Sequence, residues 1–142
     1  MATILVIDDS RVVLDFVSLA LEREAHRVIA MTDPLAAVDL FVDGSVVVDL
    51  VLIDVSMTPI SGFETFKRLA AVGFDGPVLF MSGYPGLSSA IIERLGPGAV
   101  LEKPFTPAAL HMAIDKDLRR TESRRSLISA EMPVPSLSDA LT

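Results

Sequence analysis

Asp8, Asp9, Asp54, Ser82 and Lys103 are residue types that could act together, and their chemistry would be that of hard cations and oxygen-rich anions. Three carboxylates held close repel one another and raise each other's pKa. A hard divalent cation relieves that repulsion. Magnesium takes oxygen ligands in octahedral geometry, keeps several waters and is typically held by one or two carboxylates. Lys103 would add a point charge suited to a carboxylate or to phosphoryl oxygens.

For these residues to meet, the chain must return repeatedly to one edge. Three runs are apolar at consecutive positions: Ile4 to Ile7, Leu50 to Ile53 and Val78 to Met81. Short runs without polar alternation suit strands buried on both faces. Val28 to Met31 and Ala99 to Leu101 are weaker strand candidates. Helical patterns lie between them. Val13, Phe16, Val17, Ala20 and Leu21 follow helical spacing, with Ser10 or Asp9 as the cap. Asp33-Pro34 opens a second helix and Gly44 can end it. Phe63, Phe66 and Ala70 mark a third, and Leu87, Ala90, Ile91 and Leu95 a fourth. Thr106-Pro107 opens a fifth, with Leu110, Ala113, Ile114 and Leu118 inward.

Strand and helix thus alternate five times, which implies an α/β fold with parallel strands, right-handed crossovers and helices on both faces. In such an open sheet, ligands sit beyond the carboxyl ends of the strands. The first strand ends in Asp8-Asp9, the third in Asp54, the fourth in Ser82-Gly83 and the fifth in Glu102-Lys103-Pro104.

Composition sets the outer bounds. A chain of 142 residues fits one domain, at roughly 100–200 residues per domain. With 51% hydrophobic and 22% charged residues, wholesale disorder is excluded. The absence of cysteine excludes a disulfide scaffold, thiolate metal sites and cysteine nucleophiles, and makes the cytoplasm the expected compartment. Residues 1–118 carry 8 basic and 16 acidic groups. Such an acidic body repels nucleic-acid phosphate, so no direct nucleic-acid partner is expected. No apolar run reaches the ~18 residues that span a membrane, and Asp8-Asp9 interrupts the only apolar stretch near the start. Neither glycine-rich nucleotide-binding string occurs. From Arg119 onward Ser, Pro, Arg and Glu dominate. The expected division is a domain over 1–121 and a flexible tail over 122–142.

Singly, each site residue has a plainer reading. Asp-Asp-Ser after a strand caps a helix, Asp54 and Ser82-Gly83 sit in turns, and Lys103-Pro104 lies in a solvated loop. Four such features on one sheet edge are hard to explain as turns. Taken together the chain resembles a two-component response-regulator receiver domain of the CheY-like class. The stretches that carry the resemblance are Ile4 to Ser10, Val51 to Asp54, Met57 to Gly62, Phe80 to Tyr84 and Lys103 to Phe105, across residues 3–118.

The resemblance implies a flavodoxin-like, doubly wound (βα)5 three-layer sandwich with sheet order 2-1-3-4-5, an order long associated with that family. It implies that Asp54 accepts a phosphoryl group from a sensor or hybrid histidine kinase or a phosphotransfer protein. Mg2+ would be held by Asp9, Asp54 and the backbone carbonyl of Ser56, with Asp8 acting mainly through water. Ser82 and Lys103 would hold the attached phosphoryl group, and Lys103-Pro104 would be cis. Output would pass to another, unidentified protein by a conformational switch. The chain would work as a monomer or as a dimer formed on phosphorylation, and not as a turnover enzyme.

Two positions depart from the family pattern. Thr58 stands where proline is common, with Pro59 one later, while Gly62 keeps its place eight after Asp54. Val100 stands where many receivers carry a rotating aromatic ring. Tyr84 either takes over part of that switching role or is an ordinary loop residue. His26 reads as a loop residue, and His111 as surface or packing with no second histidine nearby. Arg119, Arg120, Arg124 and Arg125 read as a solvated helix end and tail. Two competing functions remain. A haloacid-dehalogenase-type phosphatase would need a second Asp two after its nucleophile, where this chain has Ser56 or Ser10. A degenerate receiver serving as a scaffold would not need Asp8, Asp9, Asp54, Ser82 and Lys103.

Overall fold

Two periodicities build the molecule: apolar strands whose side chains alternate between faces, and helices with one apolar stripe. The computed structural model describes residues 1–44, 46–83 and 100–131, with side chains as far as 121. In chain order the elements are β1 (Thr3–Ile7), α1 (Arg11–Arg23), β2 (Arg27–Met31), α2 (Pro34–Asp43) and β3 (Leu50–Asp54). They continue as α3 (Gly62–Ala71), β4 (Val78–Ser82), β5 (Val100–Glu102) and a C-terminal helix, α4 (Pro107–Glu131). The helix expected around Leu87 to Leu95 lies outside the described residues.

The sheet is parallel throughout, in the order β2-β1-β3-β4-β5. This is the flavodoxin-like arrangement. Alternation along the central strands divides the core in two. Ile4, Val6, Leu50, Leu52, Leu79 and Met81 face one layer with Leu14, Val17 and Leu21 of α1 and Leu110 and Ile114 of α4. Leu5, Ile7, Val51, Ile53 and Phe80 face the other, with Ala37 of α2 and Leu69 of α3. β3 is buried at every position because both its faces are covered.

Helix starts follow the capping chemistry. Ser10 Oγ accepts from Val13 N–H at 3.4 Å, Asp33 Oδ1 from Leu35 N–H at 3.0 Å, and Ser61 Oγ from Glu64 N–H at 3.2 Å. Gly44 closes α2 in the left-handed region at φ 70°, as expected of a residue without a Cβ.

Three details differ from the sequence pattern. On α1 Leu14 is buried together with Val17, Ala20 and Leu21, while Phe16 is 42% exposed. Its ring instead meets Phe105 across the surface, with centroids 6.1 Å apart. On α3, Thr65 and Leu69 point inward and Ala70 does not, because the stripe is phased from Gly62. The C-terminal helix does not stop near residue 121 but runs to Glu131, with no proline until Pro133 to interrupt it. Residues 132–142 lie outside the described residues.

Candidate functional site

The carboxyl ends of β1, β3 and β5 bring Asp8, Asp54 and Lys103 together. Parallel register sets this: Ile7 pairs with Ile53, so the residues that follow each strand emerge side by side. Lys103 Nζ donates to Asp54 Oδ1 and to Asp8 Oδ2, each at 2.9 Å. Asp8 is 1% exposed and Asp54 6%. The second oxygen of Asp8 accepts Ser10 N–H at 2.9 Å, so both its oxygens are engaged. Asp8 thereby ties the lysine to the start of α1.

Asp9 follows Asp8 and is exposed. Asp8, Asp9 and Asp54 each offer a carboxylate oxygen, and these lie within 4.8 Å of one another. The oxygens are hard donors at two depths, and one side is open to solvent. That set fits a hydrated hard cation such as Mg2+ better than a softer metal, which would favour nitrogen or sulfur. Beside it opens a cleft of about 530 Å³ lined by Asp9, Val55, Ser56, Met57, Thr58, Ser61 and Phe63. Ser56, whose carbonyl the resemblance makes a ligand, thus lines the same cleft as Asp9.

Ser82 ends β4 and is 4% exposed. Its carbonyl accepts Lys103 N–H at 2.7 Å, which joins the backbones of the hydroxyl-bearing and amine-bearing positions. Val100 sits two strands from Asp54, paired in register with Phe80 and half-buried against the same core layer. Tyr84 lies outside the described residues. The peptide bond Lys103–Pro104 is cis, as the resemblance implies, and so is Thr58–Pro59.

Electrostatics match the geometry. Burial pushes the Asp54 carboxyl above its ordinary value; the hydrogen bond from Lys103 opposes this, while the Asp8 and Asp9 charges reinforce it. Burial alone would lower the Lys103 pKa. Hydrogen bonds to Asp54 and Asp8 outweigh it and hold the ammonium above the usual lysine range.

Residue types alone did not flag Gly62, Met57, Ser61 or Phe63 as neighbours of the site. The Met57 to Gly62 stretch of the resemblance, with its eight-residue spacing from Asp54 to Gly62, hinted at the first three. The two histidines are also less separate than their positions suggest. His26 Nδ1 accepts Ala2 N–H at 3.1 Å, and His111 Nε2 lies 3.7 Å from Glu24 Oε1. Burial, the amino terminus and His111 all depress the His26 pKa, against the pull of Asp115 and Glu24.

Comparison with known proteins gives this geometry a family. The chain is 35% identical over 119 residues to the response regulator GtcR of Aneurinibacillus migulanus, covering 83% of this chain and 48% of that protein. It is 34% identical over 119 residues to the transcriptional regulatory protein FixJ of Azorhizobium caulinodans, covering 82% and 54%. The chain therefore spans about half the length of the curated relatives it matches. Among solved structures, a response regulator receiver domain protein from Clostridium thermocellum superposes with a TM-score of 0.75 at 26% identity, covering 86% of this chain and 98% of that one. The chemotaxis response regulator CheY4 of Vibrio cholerae gives 0.69 at 25% identity, covering 82% and 98%. Residues 4–115 match the response regulator receiver domain as a family, and to that family this chain belongs.

Proposed function

We propose that Asp54 accepts a phosphoryl group from a phosphohistidine on a sensor or hybrid histidine kinase or a phosphotransfer protein, and that the modified domain then signals to another protein. The observation that carries this reading is the shared amine: Lys103 Nζ lies 2.9 Å from both Asp54 Oδ1 and Asp8 Oδ2.

An Asp54 oxygen attacks phosphorus in line as the P–N bond breaks. The donor imidazole, protonated on its other nitrogen, leaves neutral, and an acyl phosphate remains. Such a transfer needs little covalent help and much positioning and charge compensation. Asp9, Asp54 and the Ser56 carbonyl would hold Mg2+ directly and Asp8 through water, and the ion when bound supplies positive charge beside the transferring oxygens. Lys103 exchanges part of its contact with Asp54 for a phosphoryl oxygen. The Ser82 hydroxyl donates to another. The added charge of about −1.5 to −2 shifts a pre-existing balance between surface states. The acceptor is consumed in the act, so the domain is not a turnover enzyme, and its setting is the cytoplasm. Among the described residues no helix is long and apolar enough to cross a membrane.

The test is an intact mass after incubation with a small phosphodonor and Mg2+. We expect a gain of one phosphoryl group that disappears in Asp54→Asn and without the metal. Modification that survives in Asp54→Asn would overturn the assignment.

A further inference from the structure

Gly62 opens α3 with nothing in its backbone conformation that calls for glycine, since its φ is not in the left-handed region. Space calls for it instead. A Cβ built on Gly62 would overlap the Asp54 carbonyl oxygen and would meet the Asp54 carbonyl carbon and Val55 Cα at 3.0 Å. All three are backbone atoms of the β3 end, so no side chain can turn aside to make room. The Gly62 N–H also donates to the Val55 carbonyl at 2.9 Å. The first residue of α3 therefore sits directly on the peptide unit that carries the acceptor.

That contact closes a loop. Residues 55–61 leave β3 at Val55, whose N–H donates to the Met81 carbonyl at 2.9 Å, and return to the same place at Gly62. Within the loop lie Ser56, Met57, Thr58 and Ser61, which line the cleft beside Asp9. Thr65, fully buried, braces the return. Its Oγ1 donates to the Ser61 carbonyl at 2.8 Å and its N–H to the same oxygen at 2.9 Å.

We infer that Gly62 is a positioning residue for the cation-binding half of the site: by seating α3 on the Asp54–Val55 peptide it fixes where the Asp54 carboxylate and the Ser56 carbonyl stand relative to Asp9. This deepens the function proposed above and rests on it. Any side chain at residue 62 separates α3 from β3 and moves those ligands, although no charged or hydroxyl group has been altered.

The experiment is a Mg2+ titration of the full chain by calorimetry and by the amide NMR signals of Asp54 and Ser56, for wild type and Gly62→Ala. A folded Gly62→Ala should bind Mg2+ about tenfold or more weakly, the usual scale for disturbing the support of a metal ligand. Its phosphoryl gain should slow at low Mg2+ and largely recover at saturating Mg2+. A merely structural glycine would lower the melting temperature and leave the Mg2+ Kd unchanged, and that result overturns the inference. Should Gly62→Ala not fold, Thr65→Val decides, because it removes the Thr65 Oγ1 bond and adds no volume at residue 62. A raised Kd supports the inference, and an unchanged Kd overturns it. Wild type that gains no phosphoryl group at any Mg2+ concentration sinks the function itself. Wild type that gains one, beside a variant with an unaltered Kd, sinks the glycine's role alone.

Discussion

Lys103 and Asp8 stand 95 positions apart in the chain and meet at 2.9 Å, with Asp8 buried and the lysine partly so. Asp8 Oδ1 accepts Ser10 N–H and Oδ2 accepts the lysine, so both oxygens of that carboxylate are engaged. The amine thus has two positions to serve: it sits between the two buried acids, and it faces Asp54, the proposed acceptor.

Lys103→Ala tests this placement. Some phosphoryl gain should persist in the mass spectrum, since Asp54 and the other acids are intact. The chemical-shift change that phosphorylation causes at the Ser82 and Gly83 amides should be greatly reduced. A full wild-type shift change in the variant would show that the lysine does not carry the response.

Asp54→Asn removes a carboxyl whose charged form is disfavoured by burial and by Asp8. A raised folded pKa means stability declines as pH rises from the unfolded value of 3.8 through the folded one, so near pH 7 the neutral amide should be the more stable. Thermal melts in chelator should place the variant above wild type by a few degrees, on the scale of about 2–4 °C per kcal/mol. Added Mg2+ should raise the wild type more than the variant.

His26 has the opposite sign. Its folded pKa lies below 6.5, and its Nδ1 accepts the Ala2 N–H, which requires the neutral ring at that atom. Between the unfolded value and the lower folded value the unfolded chain binds the extra proton. Stability should therefore fall as pH drops below about 6.5. The measurement is the urea-unfolding difference between wild type and His26→Asn from about pH 7.5 to about pH 5.5. The gap should narrow toward acid, and a constant gap would refute the assignment.

Val100→Phe adds a ring at a half-buried strand position packed on the core and should destabilise the fold by about 1–3 kcal/mol, the cost of overpacking. Val100 pairs with Phe80, which is 1% exposed and already contacted by Phe63 and Phe66 at centroid distances of 4.9 and 5.9 Å. Chemical denaturation measures it. A neutral substitution would mean that the strand end has room for a swinging ring after all.

Much of this was legible in the chain. Consecutive apolar runs marked β1, β3 and β4 because a strand covered on both faces needs no polar alternation, and that fixed which residues reach the rim. Ser10, Asp33 and Gly44 announced their caps through local chemistry. The phase of helix faces was less legible. Phe16 fits an apolar stripe as well as Leu14 does, but Leu14 joins Val17 and Leu21 in the core and Phe16 is left beside Phe105. The extent of α4 was also hidden, because its polar residues 119–131 carry no apolar periodicity while nothing in them forbids a helix. The role of Gly62 depends on a through-space approach to Asp54 that no local pattern records.

β3 is hydrogen-bonded along both edges and enclosed on both sides. A strand so held cannot creep: the smallest slip would turn Leu52 and Ile53 to the wrong layers. Asp54, the proposed acceptor, is therefore mounted on an anvil, and a phosphoryl charge added at its tip would have to be absorbed by side chains and loops around a stationary floor.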